Sequence, residues 1–259
     1  MRNIRTSLIV SVVLVAAAYG GMHWAFDTTR PLSDSPQIKR NSLKTTTDKP
    51  NAASLSHAAP PDAVQVVSNP TSLEVLVNKD FALPANYTPP DLVDPNVPFI
   101  FSGKSEKRLM RKPAAEALEQ MFAAAKRDGI YLSGVSAYRA YATQKWLFDD
   151  YAKQDGYPAA NRYSALPGES EHETGLAIDV SGSTGQYAVT DAFANTKEAT
   201  WLAKHAYKFG FIIRYPKGKE AITGYKYEPW HLRYVGQEVA EVMTKKGMTL
   251  EEYLDKTPV

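Results

Sequence analysis

The stretch SEHETGLAIDV, residues 170–180, sets His172 seven residues before Asp179 with Gly175 between them. A second stretch, YEPWHLRYVG at 227–236, sets Glu228 three residues before His231. Of the five histidines, the other three sit in poorer contexts: His23 in an apolar N-terminal run, His57 in a Ser/Thr/Pro-rich segment, and His205 on a helical pattern beside Leu202 and Phe209, where packing or surface is the better reading. Cysteine is absent, which excludes disulfides, thiolate nucleophiles and cysteine-held zinc together. Any metal must be held by His, Asp or Glu. A hydrolytic zinc site needs three protein ligands and a fourth position open to water, and His172, Asp179 and His231 offer such a set. One His and one Asp seven apart say little by themselves. Glu228 strengthens the case, because a carboxylate near the metal but outside its ligands can take a proton from water and return it to a leaving amine. A plainer role for Glu228, pairing with Arg233 while Trp230 and Tyr234 fill the core, is compatible with that chemistry.

Nucleophilic alternatives are weaker. Gly168 and Ser170 match the start of a G-x-S-x-G elbow, but the fifth position is His172, so the tight strand-to-helix turn is not supported. No S-x-x-K occurs in the chain, so the acyl-enzyme signature of penicillin-binding proteins is missing.

The elements that must position these residues follow from periodicity. Leu118, Met121, Phe122 and Ala125 recur at helical spacing, with Lys126 and Arg127 in the last turn and Gly129 as a stop. Residues 130–138 read as a strand, 141–156 and 198–210 as amphipathic helices, and 211–216 and 225–235 as strands. Thr249 and Glu252 have the spacing of a capping box. Helices and strands alternate without a βαβ rhythm or a Gly-rich phosphate loop, which predicts an α+β fold. We expect a small antiparallel sheet flanked by helices, with the zinc site on the sheet.

At 259 residues and 44% hydrophobic content the chain can bury one sizeable core. A formal net charge of +2 lacks the basic excess of a nucleic-acid binder. Arg2 and Arg5 precede an apolar run from Leu8 to Ala18 that extends weakly to Phe26, so residues 1–26 read as a signal peptide or a membrane anchor. Residues 27–63 are a Ser/Thr/Pro-rich segment too polar to bury a core. As a flexible tether of about 40 residues it would reach roughly 35 Å. Residues 64–259 form the expected catalytic domain, exported and extracytoplasmic, and expected to act as a monomer.

PGESEHETGLAIDV followed by YEPWHLRYVG, with SAYRAYATQ upstream, resembles the VanY-type D-alanyl-D-alanine carboxypeptidases, which belong to the zinc peptidase group that includes lysostaphin-like and hedgehog-like domains. The similarity runs from about Leu73 to Tyr253. It implies one Zn2+ held by His172, Asp179 and His231, with Glu228 as general base. It also implies that Arg139 and Gln144 of the upstream motif face the substrate, with Ser170 beside them. The family's usual glycine and serine in that motif are Ala137 and Ala140 here, and neither change touches a metal ligand. Arg139 could grip a terminal carboxylate in a bidentate fork or stabilise a developing oxyanion, and the residues leave both open. Trp230, Tyr138 and Tyr141 are candidates to line the cleft. The implied substrates are peptidoglycan stem peptides ending in D-alanine. A rival within the class is an L,D-carboxypeptidase of tetrapeptide stems, and a rival outside it is a non-catalytic wall-binding zinc module.

Overall fold

The computed structural model describes residues 64–257. The apolar run at the N-terminus and the whole Ser/Thr/Pro-rich segment lie outside them, and with them the expectations of export and tethering. Strand β1 (Gln65–Val66) pairs in parallel with β2 (Phe81–Ala82). β3 (Leu92–Val93) pairs antiparallel with β4 (Met110–Arg111), which leads directly into helix α1 (Lys112–Arg127). Pro113 stands in the first turn of α1, where its missing N–H costs nothing. The periodic residues Leu118, Met121, Phe122 and Ala125 are all buried.

β5 (Leu132–Ser136) follows, then α2 (Tyr141–Asp155), α3 (Tyr157–Tyr163), β6 (Ala177–Gly182), α4 (Lys197–His205), β7 (Phe211–Ile213), α5 (Glu220–Thr223), β8 (His231–Tyr234), α6 (Gln237–Lys246) and α7 (Leu250–Tyr253). The central sheet has the order β5-β6-β8-β7, and each of its pairings is antiparallel. This is the α+β arrangement expected from the alternation of elements.

Strand periodicity then sorts core from cleft. Ile178 on β6 is the register partner of Leu232 on β8, and both belong to the main hydrophobic core with Leu118, Met121, Trp201 and Phe211. One residue along, Asp179 is the partner of His231, and the pleat turns this pair to the opposite face. The pairing of β5 with β6 contains a register shift between Gly134 and Ser136.

Two differences from the sequence reading have local causes. The strand expected over 225–235 is only β8, because Pro229 cannot donate to a ladder and the Glu228 N–H is already bonded to the Tyr215 carbonyl at 3.0 Å. The helix expected over 198–210 is α4 followed by a 3-10 turn, Ala206–Phe209, closed by Gly210 at φ 82°. Helix α6 and the β3–β4 pair were not anticipated. The capping box at α7 is present, with the Thr249 side chain accepting from the Glu252 N–H and Glu252 accepting from the Thr249 N–H. Among the described residues no helix is long and apolar enough to cross a membrane.

Candidate metal centre

His172 lies in a 3-10 turn, Glu171–Thr174, closed by Gly175 in the left-handed region at φ 66°. A side chain at Gly175 would also meet Leu92 Cδ2 at 2.9 Å and Arg111 Cγ at 3.0 Å, so both the backbone angle and the packing require glycine there. The reversal hands the chain to β6, and Asp179 arrives on the cleft face two residues into the strand. The interval of seven residues is therefore a turn, a left-handed glycine and the start of a strand. β8 supplies His231 as the cross-strand neighbour of Asp179, a relation that sets paired side chains within touching distance.

The three side chains converge. Asp179 Oδ1 lies 3.0 Å from His231 Nδ1, and Asp179 Oδ2 lies 3.4 Å from His172 Nε2. One donor atom from each of the three falls within 4.8 Å of the others. Two ligands of a tetrahedral zinc, each about 2.0–2.1 Å from it, stand roughly 3.3 Å apart, so the 3.0 and 3.4 Å separations from Asp179 to the two histidines suit that ion. The remaining ring nitrogens are used elsewhere. His172 Nδ1 is 2.7 Å from the Ala137 carbonyl, which accepts a hydrogen bond from Nδ1–H and leaves the lone pair on Nε2. His231 Nε2 is 3.3 Å from Glu171 Oε2, which leaves Nδ1 facing Asp179. Such outer partners fix the tautomer and ring plane of ligating histidines.

Electrostatics favour a cation here. Burial opposes the charge of Asp179, but His172 and His231 hold its carboxyl well below the usual carboxylate range. Burial likewise disfavours charge on His172 and lowers its pKa. His231 also pays for burial, yet its hydrogen bonds to Asp179 and Glu171 raise it to about 9. A metal ion bound at this point would replace that proton.

Glu228 stands in the loop before β8 with Oε2 4.0 Å from His231 Nδ1. It is beside the cluster and outside the set of three donors. Burial pushes its carboxyl up to about 7, with His231 pulling the other way, so it can hold or release a proton near neutral pH.

The cleft above these residues has a volume of about 180 Å³ and is lined by Arg139, Ser170, His172, Asp179, Glu228, Trp230 and His231 among others. Seven of the eight site residues named from the sequence thus meet in one place. Gln144 stands behind them, 1% exposed. Its Oε1 accepts from Arg139 Nη1 at 2.8 Å and its Nε2 donates to the Ala165 carbonyl at 2.6 Å, so it holds the guanidinium of Arg139 from the rear. Burial lowers the Arg139 pKa, while Asp179 raises it. Tyr138 is buried and does not line the cleft.

Sequence reasoning missed the ionic group beneath His231. Glu171 Oε1 accepts from Arg214 Nε at 2.7 Å and from Arg233 Nη1 at 2.5 Å, and all three side chains are fully buried. Burial opposes the charge of Glu171, but the two arginines hold its carboxyl far below the ordinary range. A signal was available in FIIRYP, where Arg214 interrupts an apolar strand, since a buried arginine implies a buried acid. Tyr215 and Tyr225, which also line the cleft, were missed too. Tyr215 packs against His231 with ring centroids 5.0 Å apart.

Comparison with known proteins gives the family and the fold. The family model of VanY, D-alanyl-D-alanine carboxypeptidase, matches residues 107–237. YodJ, a presumed carboxypeptidase of Bacillus subtilis (strain 168), is 50% identical over 195 residues, covering 75% of this chain and 71% of that protein. The solved structure of the LdcB LD-carboxypeptidase is 49% identical with a TM-score of 0.73, covering 77% of this chain and 93% of that chain. A variant of the vancomycin resistance D,D-pentapeptidase VanY from a VanB-type cassette, solved in complex with Zn(II), is 34% identical with a TM-score of 0.56, covering 71% of this chain and 99% of that chain.

Proposed function

The chain belongs to the VanY family of D-alanyl-D-alanine carboxypeptidases and is a peptidase, and we propose that it is a zinc-dependent enzyme releasing the terminal D-alanine from peptidoglycan stem peptides. The observation that carries this reading is the convergence of His172 Nε2, Asp179 and His231 Nδ1 in one cleft, with the Glu228 carboxylate 4.0 Å from His231 Nδ1.

When bound by these three residues, zinc supplies a Lewis acid for the scissile carbonyl and lowers the pKa of water towards about 7. Glu228 takes the proton from the attacking water and returns it to the nitrogen of the departing D-alanine. The hydroxyl goes to the carbonyl carbon as the C–N bond breaks, and no covalent link to the protein forms. Arg139, braced by Gln144, presents its remaining N–H groups to the terminal carboxylate of the peptide. Ser170 and Trp230 border the same space and narrow it around the substrate's end.

The D,D reading takes the pentapeptide stem as substrate, in keeping with the family name and the D,D-pentapeptidase likeness. A specific observation favours a second reading. The LdcB LD-carboxypeptidase is more similar, at 49% identity against 34%, which sets the tetrapeptide stem beside the pentapeptide as a substrate. Export fits either, since Arg2 and Arg5 precede the apolar run 8–18. The test is D-alanine release from matched penta- and tetrapeptide stems, with chelator and then with added zinc. Chelator-sensitive release from the pentapeptide supports the D,D reading, and release from the tetrapeptide alone supports the L,D reading. Cleavage of neither peptide by the zinc-loaded protein contradicts both.

A further inference from the structure

Beneath the metal centre lie two acids and two arginines whose side chains are all fully buried. Glu171 accepts from His231 Nε2 with one oxygen and from both arginines with the other. Arg214 in turn makes a fork with Glu251 of α7, Nη1 to Oε2 at 2.9 Å and Nη2 to Oε1 at 2.6 Å. Asn78 Nδ2 donates to Glu251 Oε1 at 3.1 Å. Arg233 spends Nη2 on the carbonyls of Leu73 at 3.0 Å and Val75 at 2.7 Å.

Buried ion pairs add little net stability over well-packed apolar residues, and their best-attested use is to fix one arrangement among several. Here the arrangement that is fixed ends on a candidate metal ligand. A chain of charge-assisted bonds runs from α7 through Glu251, Arg214 and Glu171 to the imidazole of His231.

We propose that Glu171 is a positioning residue for the metal centre and that Glu251, on the C-terminal helix α7, is its distal anchor. Glu171 accepts a hydrogen bond from the Nε2–H of His231 and so keeps the Nδ1 lone pair and the ring plane directed at Asp179 and His172. Arg214, clamped by Glu251, fixes the carboxylate of Glu171. The capping box at Thr249 and Glu252 flanks Glu251 and sets where α7 begins. The C-terminal helix is thus part of the metal centre's support. This inference rests on the reading of His231 as a ligand.

The experiment uses the full chain with zinc and cobalt(II) as probes. Zinc affinity is read by competition with a chromophoric chelator, ligand geometry by the visible spectrum of the cobalt form, and metal-free stability by urea unfolding. Five variants are compared: His231→Ala, Glu171→Gln, Glu251→Gln, the charge-balanced double Arg214→Met/Glu251→Met, and Leu250→Ala. Leu250 is buried on the same helix and serves as a control for stability alone.

The expected result is that Glu171→Gln weakens zinc about 10–100-fold, the range for an outer-shell partner, and alters the cobalt spectrum. Glu251→Gln and the double variant shift both readouts in the same direction by a smaller factor. Leu250→Ala lowers urea stability and moves neither. If Glu171→Gln does not fold, the double variant carries the test, because it leaves Glu171 paired with Arg233. Normal zinc affinity and an unchanged cobalt spectrum in the folded Glu171 and double variants overturn the proposal, as does a Leu250→Ala shift equal to that of Glu251→Gln. Zinc retained by His231→Ala overturns the ligand reading itself, whereas zinc lost there but kept by the Glu171 variant overturns only the positioning role.

Discussion

Asp179 and His231 are register partners on adjacent strands, and the carboxylate Oδ1 of one lies 3.0 Å from the imidazole Nδ1 of the other. The ladder between β6 and β8 therefore holds two of three candidate ligands at a separation that a metal can bridge. Asp179→Ala removes one ligand without touching the core pair Ile178 and Leu232. It is expected to lower zinc content and to abolish most of the stabilisation zinc confers, about 2.7 kcal/mol for the parent at a free zinc concentration of 100 Kd. Metal analysis with thermal melts checks this, and an unchanged zinc content removes Asp179 from the ligand set.

His231 gives a pH dependence with a definite sign. Its pKa rises from 6.5 to about 9 in the folded, metal-free chain. The folded state thus holds an extra proton, and the stability this gives is present below pH 6.5 and is lost as pH rises through about 9. Zinc requires the same nitrogen without its proton, so zinc affinity increases over that window. The gap in melting temperature between zinc-loaded and metal-free protein is expected to widen from pH 6.5 to 9. A gap that narrows or stays level contradicts the assignment of His231 as a ligand that trades a proton for metal.

Arg139 is read as the partner of the substrate carboxylate, held by Gln144 at 2.8 Å. Arg139→Lys keeps the charge and loses the fork, and is expected to raise KM for the peptide with little change in kcat. Gln144→Leu is expected to do the same more weakly, with zinc content intact. Equal losses in kcat and kcat/KM at unchanged KM would instead reassign Arg139 to the transition-state oxyanion.

Gly175 turns the chain between His172 and β6 at φ 66° against Leu92 and Arg111. Gly175→Ala is expected to cost about 1–3 kcal/mol in urea unfolding, the usual scale for a strained backbone position, and to weaken zinc by displacing His172. Stability and zinc affinity equal to the parent would show that the turn tolerates a side chain.

The parts legible in the sequence were those written locally. His172 with Asp179, and Glu228 with His231, are each carried within a few residues, so their types and spacing could be read directly. Helix α1 was legible because its buried residues Leu118, Met121, Phe122 and Ala125 recur at helical spacing, whereas α2, which buries only Gln144 and Phe148, was marked mainly by Gly156 at its end. The pairing of Asp179 with His231 was not, since register between strands is fixed only when Ile178 and Leu232 meet in the core. The support beneath the site was hidden for the same reason: Glu171 meets Arg214 across 43 residues and Arg214 meets Glu251 across 37. Gln144 was read as facing the substrate from its motif, while its place behind Arg139 depends on the Ala165 carbonyl of a later loop.

The central claim is that Glu228 moves the proton in a reaction whose metal is held by other residues. Glu228→Gln, measured on one zinc-loaded sample for both metal content and D-alanine release, tests it most directly. The account predicts stoichiometric zinc with hydrolysis reduced about 10²–10⁴-fold, the usual contribution of a general base. Hydrolysis at the parent rate, or zinc lost together with activity, contradicts it.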